Sequence, residues 1–208
     1  DRLDLVIVLA SNRVKKIGNI YFNGQLAITE SEWESSQPLF INEDGNSTAF
    51  VERHLGTGLP FPELRNALPS SWTTKHRLEG VAAIHLRLYY TQENFPTGIP
   101  NVTCDIEGKN DIYDPADGTH KYTRNAALCL ADYLTHKIYG PGMELGSPVG
   151  LNTESVIQAR NVCFESVTNP DGSSEPRYTC DGVVELSEDK KSNIEAMLSA
   201  MAGDLAYD

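Results

Sequence analysis

The chain has 208 residues, 40% of them hydrophobic, which is enough for one or two packed domains; no window approaches the roughly 18 consecutive apolar residues of a membrane helix, which predicts a soluble protein. Its 29 acidic and 17 basic residues leave a formal net charge of -12. That balance argues against a nucleic-acid reader, because holding a phosphate backbone depends on Lys and Arg displacing condensed counterions.

The chain opens at Asp1 without the basic, apolar and small-residue pattern of a signal peptide, and it stops abruptly at Ala206-Tyr207-Asp208, so it reads as a segment of a longer protein. Residues 3–10 are a near-continuous apolar run, with Leu3, Leu5, Ile7 and Leu9 on one side and Val6 and Val8 on the other, the pattern of a strand covered on both faces. Residues 16–22 and 25–28 flank Asn23-Gly24, a dipeptide that favours the positive dihedrals of a tight hairpin. Residues 29–48, with Glu30, Glu32, Glu34, Glu43 and Asp44, are polar and weakly patterned and read as a surface loop. Residues 49–55 suit another strand with Phe50 and Val51 inward, and Pro62 opens a short helix through Leu68.

The clearest strand is 81–90, where Ile84, Leu86, Leu88 and Tyr90 alternate with His85, Arg87 and Tyr89; the second set is expected to face solvent or a neighbouring subunit. Residues 102–106 and 111–113 read as two short strands around a Glu107-Gly108 turn. Asp114-Pro115-Ala116-Asp117-Gly118 is a turn, and Thr123 or Asn125 can cap the helix that follows, in which Ala127, Leu130, Ala131, Leu134 and Ile138 recur three or four apart before Gly140-Pro141-Gly142 stops it. Asn152 or Thr153 caps a second helix running to about Val167, with Val156, Ala159, Cys163 and Val167 on one face. After a loop at 169–174, residues 178–186 suit a strand, and Ser187 starts a third helix with Ile194, Met197, Leu198, Met201 and Leu205 as its apolar stripe. The predicted class is α+β: a strand-rich half, residues 1–114, then a three-helix half with short strands, residues 115–208, forming two subdomains or one continuous unit.

Nothing in the pattern assigns a catalytic, cofactor-binding or metal-binding residue. His54, His76, His85, His120 and His136 lack the paired helical spacing of a zinc hydrolase, and Asp114, Asp117 and Gly118 lack the further acceptors and terminal glutamate of a calcium loop. There is no Gly-x-Ser-x-Gly and no phosphate-cradling glycine loop. Glu30, Glu32 and Glu34 have the chemistry for glycan cleavage but no fixed separation. Met197 and Met201 suit either a core or a binding groove. Cys104, Cys129, Cys163 and Cys180 allow three disulfide connectivities in an oxidising compartment, while the apolar helical faces carrying Cys129 and Cys163 favour buried free thiols. With the sequons at Asn46 and Asn101, the cysteines keep open a secreted, disulfide-bonded glycoprotein, either a hydrolase or a binding module.

Several segments carry a resemblance. Asn125-Ala126-Ala127-Leu128-Cys129-Leu130-Ala131-Asp132-Tyr133-Leu134-Thr135, then Tyr139-Gly140, and later Ser174-Glu175-Pro176-Arg177-Tyr178-Thr179-Cys180 resemble the tail-tip hub (host-specificity) proteins of long-tailed bacteriophages. His76-Arg77-Leu78-Glu79-Gly80-Val81-Ala82, Phe95-Pro96-Thr97-Gly98-Ile99-Pro100-Asn101-Val102-Thr103 and Ile112-Tyr113-Asp114-Pro115 extend it in the same order. Ala126, Ala127 and Leu128 depart from the proline or bulky residue and the aromatic usual there, and Asn110 looks inserted. The resemblance implies a homotrimeric, non-enzymatic virion component with no cofactor. Such a hub is assembled in the bacterial cytoplasm and closes the distal tail tube beside distal-tail and tape-measure proteins. It reaches the host receptor through regions outside this segment, and its acidic surface lets DNA pass without sticking. Arg160 and Arg177 are then expected in ion pairs within or between subunits.

Overall fold

A computed structural model describes residues 2–30, 39–41 and 47–206. Glu32, Glu34, Glu43, Asp44 and the Asn46 sequon lie outside the described residues. The class is α+β, and the chain divides into two compact units, Asp1–Lys109 and Asn110–Asp208.

The first unit contains β1 (Arg2–Ala10), β2 (Val14–Phe22), β3 (Gln25–Ile28), β4 (Leu39–Ile41), β5 (Ser47–His54), α1 (Pro62–Ala67), β6 (Ala82–Tyr89) and β7 (Val102–Lys109). They form two antiparallel sheets, ordered β1-β6-β5-β4 and β3-β2-β7. The β2–β3 hairpin turns at Asn23 and Gly24, both with positive φ (51° and 80°), as the dipeptide requires. Both sheets contribute to one core: Val14, Ile17, Ile20 and Ile28 from one, Val51, Ile84, Leu86 and Leu88 from the other. Each such buried side chain contributes roughly 1.5–3 kcal/mol of transfer free energy.

Four expectations are corrected here. β1 turns only Leu3, Leu5, Ile7 and Leu9 to the core, while Val8 is 59% exposed; among the described residues it pairs on one side alone, with β6, so its apolar run marks an edge strand with one covered face. Val51 is inward but Phe50 is not, since alternation along β5 sends them to opposite faces. His85 and Arg87 of β6 are buried rather than facing solvent, because Phe61, Leu64, Leu68, Trp72 and Leu78 cover Ala83 and that side of the sheet. Glu107-Gly108 is no turn: β7 runs on to Lys109 because β2 offers a partner along its length, with Lys16 opposite Glu107 and Val14 opposite Lys109.

The second unit contains β8 (Ile112–Asp114), β9 (Thr119–Lys121), α2 (Ala126–Thr135), α3 (Thr153–Phe164), β10 (Ser166–Thr168), β11 (Ser174–Pro176) and α4 (Lys190–Ser199). α2 is buried nearly all round, at Ala126, Ala127, Leu128, Leu130, Ala131, Tyr133 and Leu134. It stops sooner than its apolar spacing suggests: His136 is extended (ψ 123°), and Ile138 is 85% exposed. The chain then folds back, so a Cβ on Gly140 would collide with the Tyr133 carbonyl, and Met143 N–H donates to Leu134 O at 2.8 Å. Asn152 caps α3 by accepting from Ser155 N–H at 3.0 Å, but the helix ends at Phe164 and Val167 joins the β10–β11 hairpin. Residues 178–186 form no strand. Thr179 makes a single antiparallel bridge with Asn125, and Val183 is 87% exposed, since among the described residues no further ladder partner pairs with the segment. α4 starts at Lys190 behind Asp189, which accepts from Lys191 N–H at 2.7 Å; its apolar residues are half-buried rather than buried.

Candidate functional site

In the first unit the antiparallel register places four ionisable side chains on one face of three adjacent strands. Asp4 lies opposite Arg87, and Glu52 opposite His85. The His85 ring is 0% exposed, with Nδ1 2.7 Å from Glu52 Oε2 and Nε2 2.9 Å from Asp4 Oδ1. Arg87 Nε donates to Asp4 Oδ1 at 2.7 Å, and Arg2 Nε lies 3.0 Å from Asp4 Oδ2. Burial raises the Asp4 carboxyl, but the hydrogen bonds from Arg87 and His85 and the charges of Arg87 and Arg2 outweigh it and hold Asp4 below the ordinary carboxylate range. Glu52 also caps α1: Glu63 N–H donates to Oε1 at 2.9 Å and Leu64 N–H to Oε2 at 3.2 Å, while Phe61 at the cap position offers no acceptor. The Asp-His-Glu set has the residue types of an acid-base relay. Here, however, both ring nitrogens are committed and Phe50 and Phe61 flank the ring, so the arrangement clamps three strands and a helix end.

In the second unit the segments that carried the resemblance converge on Asn125, which is 2% exposed. Its Oδ1 accepts from Leu128 N–H at 3.2 Å, its Nδ2 donates to Arg160 O of α3 at 3.0 Å, and its backbone bridges to Thr179. Around it, Arg124 makes a two-pronged pair with Asp181 (Nε–Oδ1 2.7 Å, NH2–Oδ2 2.5 Å), which holds the Asp181 carboxyl low. Arg177 pairs with Glu165 at 2.8 Å, and Arg160 grips the fully buried Asp114 through NH2 at 2.9 Å while its guanidinium lies 4.8 Å over Phe164. The Asp114–Asp117 turn is thus tied down by cations: Lys121 reaches Asp114 at 3.3 Å and Asp117 at 2.6 Å.

The remaining sequence candidates scatter. His54 faces Leu78 O at 3.1 Å, His76 stacks on Trp72, His120 faces Asp111 O at 3.1 Å, and His136 stacks on Tyr139. Glu30 pairs with Lys16, and Met201 packs on Ala126, Ala127 and Cys163. Asn101 is exposed beside the β2–β3 turn, its N–H donating to Asn23 Oδ1 at 2.9 Å. Among the described residues, no group of three His, Cys, Asp or Glu is placed to hold a metal ion, and no helix is long and apolar enough to cross a membrane. A groove of about 160 Å³ between Tyr133, Tyr139, Leu186, Lys190 and Asn193 is smaller than the roughly 300–1,000 Å³ of small-molecule sites. Sequence reasoning missed the Asp4-Glu52-His85-Arg87 set. Its available signal was four charged or titratable residues inside otherwise apolar strands.

No family model matches the chain. It is similar to Tip attachment protein J of Escherichia phage SECphi27, with 31% identity over 129 residues, 55% of this chain and 11% of that protein. The chain thus spans about a tenth of the length of the relative it matches. The similarity supports a bacteriophage tail protein, and the relationship stands at that level.

Proposed function

We propose that this chain is a structural segment of a phage tail tip, a hub that closes the distal tail tube as a homotrimer. In this reading it sits in the virion, after assembly in the host cytoplasm, between distal-tail and tape-measure proteins. It carries receptor-binding regions elsewhere in the longer protein, performs no catalysis and needs no cofactor. The observation that carries the proposal is the similarity to a tip attachment protein. Three features are consistent with it. The ionisable clusters in both units are spent on holding strands, helix ends and turns. Among the described residues β1 pairs only with β6, and its other edge, with Val8 at the surface, is one that a second copy can extend. The acidic balance suits DNA sliding past without adhesion.

Deleting the segment from the phage that encodes it tests the reading. Particles are expected to lack complete tails, with infectivity restored by the full-length protein supplied in trans. Complete tails that merely fail to adsorb would instead make the segment a receptor-binding module.

A further inference from the structure

Cys129 and Cys180 are far apart in sequence and have no part in the interactions described so far, yet the fold brings them together. The Asn125–Thr179 bridge sets the backbone, and Cys180 N–H donates to Arg124 O at 2.8 Å on one side of it. One helical turn past Asn125, Cys129 N–H donates to Asn125 O at 3.0 Å, and its Sγ lies 3.6 Å from Thr123 O, turned back toward the same bridge. Both thiols are partly buried beside this bridge, and each perturbs the other's ionisation. Cys163 is buried with Ala126 and Ala127 in a cluster that Cys180 also borders, and Cys104 lies in β7 of the other unit.

We propose that Cys129 and Cys180 are a dithiol that closes to an intramolecular disulfide when a dissolved disulfide oxidant, such as oxidised glutathione, is present. The Cys180 thiolate attacks one sulfur of the oxidant, expelling one glutathione thiolate, which takes up a proton. Cys129 then loses its proton to solvent and attacks the Cys180 sulfur of the mixed disulfide, expelling the second glutathione. Two electrons pass from the protein to the oxidant, one protein disulfide forms and two glutathione thiols leave.

The electrostatics favour this order of attack. The neighbouring Cys129 thiol brings the Cys180 thiol down to about 7, while Cys180 and burial push Cys129 up. Once Cys180 is in a mixed disulfide it carries no negative charge, so much of what suppresses Cys129 is removed. Closure would tie the Thr179–Cys180 segment covalently to the first turn of α2, where one bridge and the exposed Arg124–Asp181 pair now hold it. In a reducing cytoplasm the pair stays open; in an oxidising medium it closes. The inference stands independently of the role in a tail.

The test exposes the native full-length chain to buffers running from reduced to oxidised glutathione, with acid quenching, alkylation, intact mass and non-reducing peptide mapping. The expected result is a loss of about 2 Da and of two alkylatable thiols, with a single Cys129–Cys180 crosslink. Cys129→Ser should instead trap a mixed disulfide at Cys180. Retention of both thiols in fully oxidised buffer, accumulation of the mixed disulfide in the unaltered chain, or a crosslink to Cys163 would overturn the proposal.

Discussion

Asn125→Ala should destabilise the second unit by about 1.5–5 kcal/mol. Losing the side-chain acceptor at a helix N-cap contributes roughly 0.5–2 kcal/mol, and leaving the partly buried Arg160 carbonyl without its Nδ2 donor about 1–3 kcal/mol. Asn125→Asp separates the two parts: it retains an acceptor for Leu128 N–H but has no donor for Arg160, so it should lose about 1–3 kcal/mol. Urea titrations followed by far-UV circular dichroism measure both, with unchanged slope as the condition for reading midpoints as stability. A loss below about 0.5 kcal/mol for Asn125→Ala, the level of an ordinary surface substitution, would refute the reasoning that this residue joins α2, α3 and the Thr179 segment.

Four further outcomes follow from the same geometry. Glu52→Ala should cost about 3–5 kcal/mol, because a partner of the buried pair and the α1 cap are lost together, whereas Arg13→Ala, which breaks an exposed pair with Glu79, should cost under about 1 kcal/mol in the same denaturation assay. Asp4 is depressed in the folded chain, so its stabilisation is complete above the unfolded value near 3.9 and disappears as pH falls through the folded value; Asp4→Asn should therefore lower stability at neutral pH and flatten its acid limb in denaturant titrations. Iodoacetamide labelling of Cys180 should reach half its maximal rate near pH 7, and Cys129→Ala should move that midpoint toward the ordinary value of about 8.5. Gly140→Ala should lose about 1–3 kcal/mol in thermal or urea unfolding, since its methyl must displace the Tyr133 carbonyl.

Features written in a few neighbouring residues were legible in the sequence. Asn23-Gly24 dictated its hairpin through positive dihedrals, and Asn125 and Asn152 announced helix starts by the acceptor each offers three residues on. Features decided by distant partners were not. Glu107-Gly108 carries turn chemistry, yet pairing with β2 keeps it extended. The strand-like composition of 178–186 and the apolar spacing out to Ile138 are local signals that no element among the described residues takes up, so Val183 and Ile138 end at the surface. His85 and Arg87 looked solvent-facing because their cover comes from Phe61 and Leu64, and the clamp they form needs β1, β5 and β6 in register, which no window of sequence contains.

The central claim is that these side chains serve shape within a tail tip. Electron cryomicroscopy of virions carrying this chain, reconstructed at the distal end of the tail, tests it most directly. The account predicts threefold-related density there that accepts the two sheets of the first unit and the three helices of the second. Density for the chain elsewhere in the particle, or its absence from purified virions, would contradict the account.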